Sequence, residues 1–209
     1  NFMTEIIIKK LSDSKGARWT ALLIVSFTMM MGYFLTDVMS PLENMLETSC
    51  AQGGMGWTSS EYGFFSGSYG IINVYLFMLF FGGIILDKMG IRFTGSMASS
   101  LMVIGAFIKF YAIAFISPEG TTYVNLPMFG LDHAMVKNQM LLASLGFSIF
   151  GVGCEITGIT VSKIITKWFT GHELALAMGI QVALARLGTA GALSISVPIA
   201  KSFSLSTPI

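Results

Sequence analysis

The sequence has few charged residues for its length. Only 11% of its 209 residues are Asp, Glu, Lys or Arg, whereas soluble domains contain about 25%. Its 12 basic and 11 acidic residues nearly cancel, so the chain lacks the basic surface that a nucleic-acid partner requires. Together with a mean hydropathy of +0.74, this composition excludes a soluble globular enzyme and indicates a protein whose solvent is lipid.

Residues that carry catalytic or metal chemistry are also scarce. The two histidines, His133 and His172, both fall in connections, and neither an H-E-x-x-H nor a G-x-x-x-x-G-K-[ST] pattern occurs. We therefore expect no enzyme activity, no ATP hydrolysis, no metal and no cofactor. Cys50 lies in a polar connection and Cys154 in an apolar run, which argues against a disulfide framework.

Long apolar runs dominate the chain. Because a membrane-spanning helix needs about 20 apolar residues, the runs predict five spans, at residues 18–39, 61–86, 94–116, 138–165 and 173–200. We expect an all-α membrane bundle over 18–201, a cytoplasmic leader over 1–17 and the start of a truncated continuation over 202–209. An odd number of spans suggests a fragment of a transporter rather than a complete one.

Basic residues orient the predicted bundle, since cytoplasmic loops hold more of them than translocated loops. With a cytoplasmic amino end, eight fall inside: Lys9, Lys10, Lys15, Arg18, Lys88, Arg92, Lys163 and Lys167. Only Lys137 and Lys201 fall outside. Lys109, in the third span, is expected to extend its amino group toward the outer interface. Trp57 is expected in the headgroup layer at a span end.

A tight charged turn separates spans two and three, and residues 82–92 read GGIILDKMGIR. A short cytoplasmic turn can carry such charges only because they satisfy the membrane topology. Its spacing, G-x-x-x-D-K-x-G-x-R, resembles the loop signature of the major facilitator superfamily, in which acidic and basic residues hold the cytoplasmic helix ends together. Ile91 departs from this signature, because many members carry a further basic residue there. We call the matching residues the interior latch: Gly83, Asp87, Lys88, Gly90 and Arg92.

The resemblance extends along almost all of the chain and is closest to the lysosomal dipeptide uniporter branch and its bacterial relatives. Residues 33–37, 69–74, 81–83, 90–92, 150–155 and 168–188 carry it, and the last stretch reads WFTGHELALAMGIQVALARLG. The resemblance implies twelve spans in two halves, a central cavity and movement of small peptides without a nucleotide. Only the amino-terminal half would be visible here. Many proton-linked members of the superfamily have an arginine in span four ahead of a G-x-G pattern, and the dipeptide branch resembles them there. This chain has Gly151-Val152-Gly153, but Phe147 occupies the position of the arginine.

Two ionisable residues, Glu155 and Arg186, lie deep inside predicted spans. Each costs at least about 2.5 kcal/mol at a bilayer centre, so neither is expected to face lipid. One interpretation is an internal ion pair that joins spans four and five. The other is a clamp for a zwitterion, in which Arg186 binds a carboxylate and Glu155 accepts from an ammonium group. The dipeptide branch has a glutamate and an arginine at these positions, which favours the clamp.

A polar stripe marks one face of the second span, at spacings of four, three and four residues: Tyr62, Ser66, Tyr69 and Asn73. We expect it to line a cavity rather than only to pack, because polar groups are costly in lipid. Gln181 is a weaker candidate for the same cavity. Asp37, near the outer end of span one, is either part of an outer gate or a solvated charge.

The combined expectation is a transporter that moves a small zwitterionic solute, a dipeptide, by alternating access. A proton-coupled organic-anion or sugar carrier is the first alternative, and a nontransporting scaffold or receptor is the second. The expected partners are the small solute, the lipid bilayer and the missing carboxyl-terminal half. We expect a multi-pass protein of a bacterial inner membrane, with the lysosomal membrane as the alternative.

Overall fold

The computed structural model describes residues 14–209, so most of the predicted leader lies outside the described residues. The helices are α1 (Lys15–Asp37), α2 (Glu43–Glu47), α3 (Ser59–Tyr75), α4 (Met78–Phe115), α5 (Asn138–Phe169) and α6 (Leu174–Ser202). Strands β1 (Thr121–Leu126) and β2 (Leu131–Lys137) lie between α4 and α5. Short 3-10 turns occupy Ser40–Leu42, Cys50–Gln52 and Pro127–Phe129.

Four helical stretches of the described chain are long and apolar enough to cross a membrane: Lys15–Glu47, Met78–Phe115, Asn138–Phe169 and Leu174–Ser202. Five spans were expected, and the difference lies in the second one. Phe77 adopts a left-handed backbone with φ 48°, which ends α3 after only 17 residues. The inner part of the expected span therefore belongs to α4. Neither glycine nor proline occurs near this break, so the local sequence does not predict it.

The charged turn at residues 87–93 is a kink within α4 rather than a loop. Gly90 is the one residue of α4 with a non-helical backbone, at φ 81° and ψ 171°. This conformation is essentially restricted to glycine. Gly90 thus redirects the chain between the end of the second predicted span and the whole of the third.

The connection between α4 and α5 is a β-hairpin. Its strands are antiparallel, with Thr121 opposite Lys137, and an irregularity interrupts the register after Val124. Phe129 at the tip packs edge-to-face on two rings of α3, Phe64 and Tyr75. The chain is therefore mostly helical rather than strictly all-α.

Close helix contacts occur where glycines face a neighbouring backbone. An added Cβ at Gly105 of α4 would lie 2.6 Å from the carbonyl oxygen of Gly146 in α5. One at Gly188 of α6 would lie 2.1 Å from the carbonyl oxygen of Met30 in α1, so α1 and α6 also pack closely. In contrast, an added Cβ at Gly63 or Gly67 of α3 would meet no atom within 4 Å in the described chain.

Buried hydrogen bonds attach the α1–α3 connection to the start of α5. Trp57 is 3% exposed, and its Nε1 donates a 3.0 Å bond to Oε1 of Gln139, so this indole is buried within the protein. The carboxylate of Glu61 accepts from the backbone nitrogens of Thr58 (2.7 Å) and Lys137 (2.6 Å). These contacts hold the outer end of the bundle around the cavity described next.

Candidate functional site

A polar cavity of about 220 Å³ lies between α1, α3 and α5. Its lining consists of Thr36, Asp37, Met39, Ser40, Tyr62, Phe65, Ser66, Tyr69 and Phe147. The structure thus brings together one candidate from the first span and three members of the polar stripe. The lining contains a carboxylate and several hydroxyl groups but no lysine or arginine. It is therefore suited to a ligand group that donates hydrogen bonds or carries positive charge.

Tyr69 connects this cavity to Glu155. An added Cβ at Gly151 would lie 2.3 Å from the backbone carbonyl oxygen of Tyr69, so α3 and α5 approach closely at this level. The Tyr69 hydroxyl donates a 2.8 Å hydrogen bond to Oε1 of the half-buried Glu155. The ring of Tyr69 also contacts that of Phe147, with centroids 5.3 Å apart. The carboxylate is therefore held at the inner edge of the polar lining.

Arg186 lies on α6 beside Tyr33 of α1. Its guanidinium carbon is 5.9 Å from the ring centroid of Tyr33, and the side chain is exposed. An added Cβ at the preceding residue, Gly32, would lie 3.5 Å from Sγ of Cys154, the neighbour of Glu155. Cys154, the neighbour of Glu155, and Arg186 thus lie beside adjacent residues of α1.

The internal ion pair considered from the sequence is not formed. The ion pairs within residues 14–209 are Asp132–His133 and Asp87–Lys163, and neither includes Glu155 or Arg186. The separation has a structural cause, because α6 packs mainly on α1 whereas α5 packs mainly on α3 and α4. Both charges are left without a partner of opposite sign in the described chain.

Asn73 and Gln181, like Glu155 and Arg186, do not line the polar cavity. Asn73 lies one turn further along α3, where its Nδ2 donates a 3.4 Å bond to the Tyr69 carbonyl oxygen. Its Oδ1 is buried and has no hydrogen-bond partner within residues 14–209. Gln181 is half-buried on α6, in the helix that carries Arg186.

Lys109 does not reach the outer interface, so that expectation was wrong. The side chain is fully buried, and its Nζ donates a 2.7 Å hydrogen bond to the carbonyl oxygen of Leu35. Nζ also lies 5.0 Å from the ring centroid of Phe147 and 5.5 Å from that of Phe150. The sequence places this lysine on α4 but contains no pattern that shows whether its tip turns inward.

In the interior latch, Asp87 pairs with a residue from another helix. Its Oδ1 lies 2.6 Å from Nζ of Lys163 on α5, whereas Lys88 and Arg92 of the turn itself are exposed. Arg92 and Lys163 line a cleft of about 760 Å³ at this end of the bundle. Gly83 faces open space, with no atom within 4 Å of an added Cβ. Sequence reasoning used Lys163 only to assign topology and missed it as the partner of Asp87.

No group of three or more His, Cys, Asp or Glu side chains that is able to hold a metal ion occurs within residues 14–209. The lining of the polar cavity combines hydroxyl groups and the carboxylate of Asp37 with the apolar side chains of Met39, Phe65 and Phe147.

Comparison with known proteins gives matches to proteins named lysosomal dipeptide transporter MFSD1. The chain is 31% identical to the Danio rerio protein over 113 residues, which are 54% of this chain and 20% of that protein. It is 25% identical to the Homo sapiens protein over 173 residues, which are 82% of this chain and 31% of that protein. The chain thus spans about a fifth to a third of the length of these relatives.

No protein-family model matches the chain, and no solved structure matches it. The relation therefore depends on the MFSD1 matches, which agree with the long apolar helices and with the turn motif at Asp87. This multi-pass membrane chain is related to the MFSD1 transporters of the major facilitator superfamily.

Proposed function

We propose that this chain is the amino-terminal part of a transporter that moves dipeptides across a membrane by alternating access. The observation that carries the proposal is that Glu155 and Arg186 do not pair with each other, although Cys154, beside Glu155, and Arg186 lie next to adjacent residues of α1. The names of the relatives identify them as dipeptide transporters. A dipeptide carries an ammonium group and a carboxylate at opposite ends, which matches two separated charges of opposite sign.

The hydrogen bonds of the two side chains support a role in ligand binding. Glu155 accepts from Tyr69 through Oε1, and its Oε2 has no hydrogen-bond partner within residues 14–209. Arg186 contacts the face of Tyr33, and no hydrogen bond from its guanidinium is formed in the described chain. Charges inside a span cost free energy unless they pair or face a cavity. In the proposed complex, the ammonium group binds Glu155 and the carboxylate binds Arg186.

The other candidate residues have supporting roles in this proposal. Tyr69 orients Glu155, and Tyr62 and Asp37 line the outer part of the cavity where a peptide side chain is accommodated. Asn73 and Gln181 are proposed to contact the solute in another state of the transport cycle. The interior latch is proposed to act on conformational change and not on the solute.

The relatives are named lysosomal, which favours the lysosomal membrane over the bacterial inner membrane for this protein. An organic-anion or sugar carrier would use Arg186 alone, with Glu155 as its counter-ion or proton site. That alternative leaves unused the hydrogen bond that orients Glu155 toward the lining of the cavity.

The test is uptake of labelled dipeptide into vesicles that contain the full-length protein. We expect Glu155→Gln and Arg186→Ala each to raise the half-saturation concentration by about 10- to 100-fold, because each removes a charge-assisted contact. Glu173→Gln and Lys201→Ala are matched controls, since both side chains are exposed at ends of α6. Dipeptide transport that persists unchanged in both site variants would contradict the proposal.

Modified substrates separate the clamp from the anion carrier. An N-acetylated dipeptide lacks the ammonium group, and a dipeptide amide lacks the carboxylate. The clamp requires both groups, so both analogues should be poor substrates. An anion carrier would transport the N-acetylated dipeptide as well as the free one. The same flux measured with and without a pH gradient distinguishes uniport from proton symport.

A further inference from the structure

The buried amino group of Lys109 lies behind the polar cavity and is not explained by the proposed clamp. It is fully buried in α4, six residues before the helix ends at Phe115. No carboxylate lies within ion-pair distance of it in residues 14–209. A methionine would fill similar space without the desolvation cost of an amino group. Packing alone therefore does not account for this lysine.

The surroundings of Nζ are those of a helix cap. Leu35, whose carbonyl oxygen accepts the 2.7 Å bond, lies in the last turn of α1, which ends at Asp37. Carbonyls of a last helical turn lack intrahelical donors, and that end of a helix carries partial negative charge. The faces of Phe147 and Phe150 complete the site, since aromatic faces attract a cation. Lys109 thus ties the outer end of α1 to the α4–α5 interface.

Both structures that Lys109 contacts continue directly into the cavity wall. Leu35 immediately precedes Thr36 and Asp37, which line the cavity from α1. Phe147 lines it from α5, where its ring stacks on that of Phe65 with centroids 4.9 Å apart. One amino group therefore contacts Phe147, which lines the cavity, and Leu35, which immediately precedes the α1 residues that line it.

We propose that Lys109 is a positioning residue that holds the outer end of α1 against Phe147. Through this position it determines the affinity of the cavity for its solute. The part concerning affinity rests on the proposed dipeptide transport. The part concerning position does not, because it follows from the contacts of Nζ. The two parts therefore need separate measurements.

Hydrogen exchange measures position without any substrate. In the full-length protein, Lys109→Met should raise amide exchange in peptides covering residues 34–42 by about tenfold, because a hydrogen bond from a charged donor is lost. Exchange in α6 should stay at its original level. Lys109→Arg retains a donor and should keep exchange within about threefold of the original. Lys201→Met, which removes an exposed lysine, is the matched control.

Transport kinetics measure the consequence for the site. Lys109→Met should raise the half-saturation concentration for dipeptide by about tenfold while the maximal rate per folded molecule changes by less than about twofold. Lys109→Arg should restore most of the affinity. A purely structural lysine would lower the amount of folded protein and leave the half-saturation concentration unaltered.

Two results would overturn the positioning role. One is unchanged exchange over residues 34–42 in folded Lys109→Met, and the other is a rise spread equally over all helices. If Lys109→Met does not fold, a tenfold rise over 34–42 in Lys109→Arg also overturns it. Absence of dipeptide transport in the unmodified protein, with the local exchange change intact, would instead refute the proposed function alone.

Discussion

Tyr69 and Glu155 meet across the α3–α5 interface, where the phenol donates a 2.8 Å hydrogen bond to Oε1 of the carboxylate. Their contact depends on Gly151, because any side chain there would collide with the Tyr69 backbone carbonyl. The bond fixes the orientation of a carboxylate that no cation neutralises within residues 14–209. Its effect on solute binding can be measured separately from the charge.

Tyr69→Phe should weaken dipeptide binding without removing the negative charge of Glu155. Loss of a hydrogen bond to a carboxylate corresponds to about a tenfold rise in the half-saturation concentration. Tyr111→Phe is the control, since that ring is exposed on α4 and stacks on Phe115. Concentration-dependent uptake in vesicles measures the effect. Equal half-saturation concentrations for the two variants would argue against a role for this bond.

Loss of the ion pair between Asp87 and Lys163 should lower the maximal transport rate more than the thermal stability of the protein. Their side chains are 77% and 40% exposed, so screening by solvent limits the contribution of the pair to about 1 kcal/mol or less. We expect Asp87→Asn and Lys163→Met each to lower the maximal uptake rate while thermal unfolding in detergent changes little. The double variant should be no slower than the single ones, because one interaction is lost in all three.

Lys167→Met is the control for this pair, because Lys167 lines the same cleft without an ion pair in the described chain. Exchange of the two charges, Asp87→Lys with Lys163→Asp, should recover part of the rate. Rate losses of the single variants that simply multiply in the double variant would show that the two residues act independently.

Gly188→Ala should destabilise the bundle because the added methyl group meets the Met30 carbonyl oxygen at 2.1 Å. Overpacking of this kind costs about 1–3 kcal/mol. Gly179→Ala on the same helix is the control, since its added Cβ faces open space and alanine favours helix by about 1 kcal/mol. Thermal unfolding of the detergent-solubilised protein should separate the variants. Similar midpoints for both would mean that α1 and α6 do not approach this closely.

Several features of the molecule were predictable from local sequence alone. Apolar run length located the helices of the first, fourth and fifth predicted spans to within a few residues, and the third predicted span lies in the part of α4 that follows Gly90. The cost of charge in lipid singled out Glu155 and Arg186. Spacing along one helix predicted that Tyr62 and Tyr69 share a face, and both line the same cavity. Each inference used a property of a single helix or of its solvent.

Other features depend on pairs of distant residues and were not predictable in this way. The break at Phe77 lacks a glycine or proline, and the partner of Asp87 lies 76 residues away at Lys163. Lys109 was expected near the interface and is buried. Helical spacing indicates which residues share a face but does not indicate which neighbour that face meets.

The amino-acid sequence by itself determined the lipid environment, the long helices and the presence of opposite charges within them. Composition and apolar run length suffice for these, because transfer free energies act residue by residue. The tertiary structure alone decided that Glu155 and Arg186 do not pair and that Lys109 reaches the end of α1. Those outcomes depend on where glycines allow the backbones of two helices to approach closely. Such a contact is a property of a pair of helices and cannot be inferred from one helix alone.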